Sequence, residues 1–85
     1  MASLGLTGRY YGWLMVARWP QIVGDSIARN ARAIGFEDGV LTLAVPSDTW
    51  RQELQLQSEA ILREIHAVPG GRVVKRLRLV RGEKG

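Results

Sequence analysis

Between Phe36 and Leu54 the chain spells out a turn, a strand, a stop and a helix start in unbroken order. Asp38-Gly39 tolerates the positive φ angles of a tight hairpin, and Leu41, Leu43 and Val45 then alternate with Thr42 and Ala44, the mark of a strand with one buried face. Pro46 removes a backbone donor and ends the strand, after which Ser47 or Asp48 is placed to accept from the free N–H groups of a new helix. With Ser47 as N-cap, Trp50 falls in the first turn and Leu54, four residues on, shares its face. A hairpin also needs an earlier partner. The stretch Asn30 to Gly35 fits either a helix end or a strand start by its own pattern, and the hairpin requires that it be extended.

Around this run the other elements follow from period. From Gly8 onward Tyr11, Leu14, Met15, the stem of Arg18, Trp19, Ile22, Val23, Ile27 and Ala31 recur at three- and four-residue steps, the helical template. Pro20 splits that template into a first helix ending near Arg18 and a second with Pro20 at its first position. Gly24 weakens the second helix, and a neighbouring element packed closely against its backbone would explain it. Ser47 to Val68 reads as the longest helix, with Trp50, Leu54, Ile61, Leu62, Ile65 and Val68 on one side and Arg51, Glu53, Gln55, Glu59 and Arg63 on the other. Pro69-Gly70-Gly71 stops it. A last strand from Val73 to Val80 turns Val73, Leu77 and Leu79 one way, with Lys75 in their row, and Val74, Arg76, Arg78 and Val80 the other. The order helix, helix, strand, strand, long helix, strand predicts an α+β fold with a three-stranded sheet and helices on one face.

At 85 residues the chain is one domain, burying only ~60% of its unfolded surface, which leaves no room for a deep substrate cleft. The expected limits are a flexible terminus over residues 1–8, one domain over 9–81 and a flexible end over 82–85. No cysteine is present, so neither a disulfide framework nor thiolate metal ligands are available, and a reducing cytoplasm is the default location. The apolar cluster Tyr10 to Ala17 is too short for a membrane span and lacks the flanks of a signal peptide.

Net charge is +4, and ten of the twelve basic residues are arginine. Half of them (Arg72, Lys75, Arg76, Arg78, Arg81 and Lys84) fall in the last fourteen positions, where Glu83 is the only acid. Arginine makes bidentate contacts to phosphate and stacks on bases, so an anionic partner is favoured. Arg76 and Arg78, two apart, share a sheet face and are the leading nucleic-acid-binding candidates, joined by whichever of Arg72, Lys75 and Arg81 lean towards them, with Arg29 and Arg32 as extensions. The plainer alternative is a solvated edge whose charge discourages aggregation. Tyr10 and Trp13, beside Arg9, form a candidate partner-binding patch if the first helix leaves them exposed. Trp19 and Trp50 are core-facing by period. His66, the single histidine, lies near a helix C-terminus without an evident catalytic partner, and Asp48, Glu53 and Glu59 form no carboxylate pair or metal cluster. No catalytic residue, metal site or cofactor is expected. Gly5-Leu6-Thr7-Gly8 matches the G-x-x-G backbone clamp of KH domains, but that clamp joins two helices and this one sits at the chain start.

Several of these pieces together resemble the DciA family of bacterial proteins: Trp19-Pro20-Gln21-Ile22-Val23-Gly24 with Ile27-Ala28, then Asp38 to Val45, then Ser47 with Trp50 and Glu53-Leu54, then Ile61-Leu62 and the strand from Val73 to Leu79. The likeness covers about Leu14 to Val80. It departs at Asn30, Ala31 and Ala33, where the family commonly places a histidine with serine or threonine and then proline. The resemblance implies a KH-like domain, similar also to the N-terminal domain of the initiator DnaA, that helps load or operate the replicative helicase DnaB and binds DNA, single or double stranded. Family members often add a basic, flexible tail that contributes to DNA binding. Only Trp19, Gly24, Gly39 and Trp50 carry over as fold-defining positions. A KH-like RNA-binding module and a structural protein-interaction adaptor are the alternatives.

Overall fold

A computed structural model describes residues 4–82. Helix α1 (Leu4–Ala17) is followed by two short helices, α2 (Trp19–Val23) and α3 (Asp25–Ala28), then strands β1 (Arg32–Glu37) and β2 (Val40–Val45), helices α4 (Asp48–Leu56) and α5 (Ser58–His66), a 3-10 turn (Gly71–Val73) and strand β3 (Arg76–Arg81). The sheet order is β1-β2-β3, with β1 antiparallel and β3 parallel to the central strand. A parallel pair needs a crossover, which α4 and α5 supply. The α+β class, the three strands and the placing of helices between them agree with the expectation.

One sheet face carries the core. Leu41, Leu43 and Val45 are almost wholly buried, together with Phe36, and are covered by Met15, Trp19, Leu54, Ile61 and Ile65 from the helices. The intervening β2 residues Val40, Thr42 and Ala44 are only half-buried, since the buried core cluster of the described residues lies on the other face. The Asp38-Gly39 turn has positive φ at both residues, 53° and 80°, as a two-residue hairpin with matching twist requires. Ser47 caps α4 as expected, its Oγ accepting from the Trp50 N–H at 3.3 Å. Leu54 is buried and Trp50 packs half-buried against the core.

Four expectations are corrected. First, α1 begins at Leu4, four residues before the helical pattern expected from Gly8, so Gly5 and Gly8 lie in a helix; residues 1–3 and 83–85 are outside the described residues. Second, Gly24 ends α2 with φ 91° and ψ 164°, and a Cβ there would meet nothing within 4 Å. It is a conformational break between α2 and α3, not a site of close packing. The close approach is instead at Gly12 of α1, where a Cβ would fall inside the Phe36 ring.

Third, the long helix divides at Gln57. Between Leu54 and Ile61, where the apolar stripe should have a member, stand Gln57 and Ser58; the Ser58 hydroxyl donates to the Gln55 carbonyl at 3.0 Å and the Gln57 N–H turns back to Leu54. Hydroxyl competition for a helix carbonyl and a tightened last turn break the ladder. Fourth, β3 starts three residues later than the pattern suggests. Val74 is fully buried as part of the core, not turned to the opposite face, and His66 Nε2 donates to its carbonyl at 2.7 Å across the Pro69 to Gly71 turn.

Trp19 is 2% exposed, and its indole N–H donates to the Ala31 carbonyl at 2.8 Å, tying α2 to the entry of β1. Trp19→Phe keeps most of the ring and strands that carbonyl, so denaturant unfolding should register a loss of about 1–3 kcal/mol. Trp19→Ala adds a cavity and should cost about 3–5 kcal/mol by the same measurement.

Candidate nucleic-acid interface

The uncovered sheet face is built row by row from strand register. Arg32 pairs with Ala44 and Ala44 with Val80; Gly35 pairs with Thr42 and Thr42 with Arg78; Glu37 pairs with Val40 and Val40 with Arg76. Because strand residues two apart share a face, Arg76 and Arg78 stand on one side about 6.6 Å apart along β3. Arg32 comes to the same face from the far strand. All three arginines are exposed, and small or short residues (Gly35, Thr42, Ala44) fill the middle, so the surface is a broad shallow trough. Ile34, 45% exposed, sits at a bulge where the β1–β2 register shifts between Ala33 and Gly35.

The remaining basic candidates do not gather there. Arg81 belongs to the inner row opposite Val45, and it reaches Asp48 at the start of α4 at 3.6 Å; Asp48 also meets Arg51 at 3.5 Å. Both partners of Asp48 are well exposed, so each ion pair contributes little to stability. Its effect is to partition charge. Among the described residues these are the ion pairs present, and neither involves Arg32, Arg76 or Arg78. Lys75 lies at the hairpin end with its stem against Gly39. Arg72 is in the 3-10 turn, and Arg29 caps α3 before β1. Sequence reasoning leaves Arg81 beside the face because it expects the strand to end at Val80, whereas β3 includes Arg81; the role of Asp48 as its partner has no local signal.

Beside Arg76 and Arg78 the trough opens into a depression of about 680 Å³ that Glu37, Asp38, Val40 and Thr42 also line. It is open along the sheet, unlike a cavity that encloses most of a small ligand. The two acids fringe its hairpin end and set a boundary for anions. No aromatic side chain stands on any of the paired rows of this face, so it offers charge and hydrogen bonds without a stacking platform.

Tyr10 and Trp13 are 63% and 48% exposed on α1, and Tyr10 meets Tyr11 edge-on with centroids 5.2 Å apart. Their helix packs through Gly12 against Phe36, which stands in the core row and not in the row of Arg76 and Arg78. The helix–helix junction at Leu56-Gln57-Ser58 contains no glycine, and Leu56 is 84% exposed there. A backbone clamp of the G-x-x-G kind is therefore lacking at the one junction of the α4–α5 pair. Among the described residues no group of histidine and carboxylate side chains could hold a metal ion, and no helix is long and apolar enough to cross a membrane.

Comparison with known proteins gives a match over residues 1–79 to the family model described as "Dna[CI] antecedent, DciA". A UPF0232 protein of Rhodococcus jostii is 38% identical over 65 residues, covering 76% of this chain and 35% of the relative. One from Mycolicibacterium smegmatis is 35% identical over 78 residues, covering 92% and 40% respectively. One from Mycobacterium tuberculosis is 32% identical over 66 residues, covering 78% and 35%. The chain thus spans at most two fifths of these relatives' length.

Since Arg76 and Arg78 are exposed and outside any described ion pair, replacing both by Ala should change unfolding free energy by no more than about 0.5 kcal/mol each. Equilibrium denaturation of the double variant checks this, and a larger loss would mean that the pair is held in place for stability.

Proposed function

The chain belongs to the DciA family, and from that membership we propose that it is a non-enzymatic DNA-replication module that binds the replicative helicase and assists its loading on DNA. The match over residues 1–79 is the observation that carries the helicase role. DNA binding is a separate part of the reading, and it is supported by the open face with Arg32, Arg76 and Arg78. Phosphate contacts from such a face position a nucleic acid without reading its sequence. Lys75 at the hairpin end, Arg29 and Arg72 act as outlying charges that steer an anion over a longer range.

Tyr10 and Trp13 are the proposed helicase-binding residues. Exposed aromatics of this kind supply most of the energy of a protein interface when they are desolvated by a partner. Helicase and DNA then engage different sides of the domain, so one chain can hold both at once. Loading proceeds through binding energy and geometry, with no covalent step in this chain.

Two measurements test the parts separately. In titrations with labelled DNA over a salt series, Arg76→Ala/Arg78→Ala should flatten the slope of log affinity against log salt by about 0.7–0.9 for each phosphate that the variant no longer neutralises, equally for unrelated sequences. An unchanged slope would remove these residues from the interface, and clear preference for RNA of the same sequence would favour an RNA-binding module. In titrations with the replicative helicase, Tyr10→Ala/Trp13→Ala should cost about 2 kcal/mol or more of binding energy. Helicase binding that survives this change intact would move the helicase-binding surface elsewhere.

A further inference from the structure

Strand β3 is an edge strand, and the direction of its backbone groups can be read from two bonds. The Arg76 N–H donates to the Gly39 carbonyl at 3.1 Å and the Gly82 N–H to the Val45 carbonyl at 2.8 Å. Alternate residues face alternate ways, so Arg76, Arg78 and Val80 turn their N–H and C=O groups to β2. Leu77, Leu79 and Arg81 turn theirs outward. Among the described residues no backbone bond beyond the strand pairings reaches that side. The other edge, β1, is interrupted by the bulge at Ile34, a usual protection against strand addition, whereas the β2–β3 register runs unbroken from Arg76 to Arg81.

We propose that the free edge of β3 accepts an extended segment of a partner protein as a fourth strand, and that this segment alternates apolar with acidic residues. The outer row of such a strand would stand beside Arg76 and Arg78, within the roughly 4.5–5.5 Å of directly opposed side chains, where opposite charges attract and like charges repel. A second copy of β3 would bring arginine against arginine, so the same residues that admit an acidic strand reject self-pairing. The inner row would meet Leu77 and Leu79, which are only half-buried, beneath α4, whose start is tied to the end of β3 by the Asp48–Arg81 ion pair. Main-chain bonds to Leu77 and Leu79 supply affinity, and the two rows supply selection. This site does not depend on the helicase or DNA readings, although an acidic strand and a nucleic acid would compete for Arg76 and Arg78.

The test uses the whole chain and a short capped peptide alternating valine with glutamate. Its controls are the same peptide N-methylated at the amides of either alternate set, an isomer with its valines and glutamates in two blocks, and a single-stranded DNA oligonucleotide. The alternating peptide should bind, one of the two N-methylated forms should bind at least about tenfold more weakly, the loss expected from removing inter-strand bonds worth about 1 kcal/mol each, and amide exchange at Leu77 and Leu79 should slow. The oligonucleotide should leave those two amides unchanged. Failure of the peptide to bind, equal binding by the block isomer, or indifference to both methylation sets would overturn the proposal. Slow exchange at Leu77 and Leu79 in the free chain that depends on its concentration would also overturn it, by assigning the edge to a second copy.

Discussion

The Gly39 carbonyl accepts two N–H groups, from Lys75 at 2.7 Å and from Arg76 at 3.1 Å, and much of the molecule's surface chemistry depends on that junction. It anchors the start of β3 to the hairpin turn, so that Val40 pairs with Arg76 and each later residue follows in order. A slip of one residue would exchange the two faces of the strand. Leu77 and Leu79 would then leave the core side and Arg76 and Arg78 would enter it, replacing half-buried apolar contact by charges that must be partly desolvated. Register and charge placement are one constraint.

The same constraint explains why the domain has a bare sheet face. A parallel pair requires a crossover, and with both crossover helices and α1 to α3 packed over Phe36, Leu41, Leu43 and Val45, no helix among the described residues is left for the other side. That face is kept open by composition: arginine at its margins, with Thr42, Ala44 and Gly35 between them. The KH-like order of elements thus appears with a charged sheet surface, while its helix–helix junction holds Leu56, Gln57 and Ser58 in place of glycines.

Much of this fold could be read directly from residues. The hairpin, the Ser47 cap, the buried row of β2 and the outward setting of Arg76 and Arg78 all rest on local chemistry or period-two alternation. What escaped depends on tertiary position. Gly24 and Gly12 are both glycines in a helical pattern, and only the placement of Phe36 against α1 tells a break from a close approach. The division at Gln57 escaped because the apolar residues on either side keep a helical spacing, and the break comes from polar side chains at the one skipped turn. Val74 obeyed strand alternation in sequence but lies before the strand begins. Arg81 lies just past the expected end of the strand at Val80, and only its place in the register, opposite Val45, turns it to Asp48.

Asp48 shows why net charge alone describes this surface poorly. The +4 of the chain is a difference between twelve bases and eight acids, and it would be the same wherever the acids stood. With Asp48 at the first turn of α4, its carboxylate suits the helix N-terminus and takes up Arg51 and Arg81 on the helix-covered side. Glu37 and Asp38 stand at the hairpin end of the opposite face. Between these two acidic limits Arg76 and Arg78 are exposed and, among the described residues, in no ion pair, and Coulomb attraction there is set by a few ångströms of local arrangement, since mobile ions screen more distant charges over about 8–10 Å. The acids therefore define the extent of the basic surface as much as the arginines do, and they confine it to a patch about one strand long.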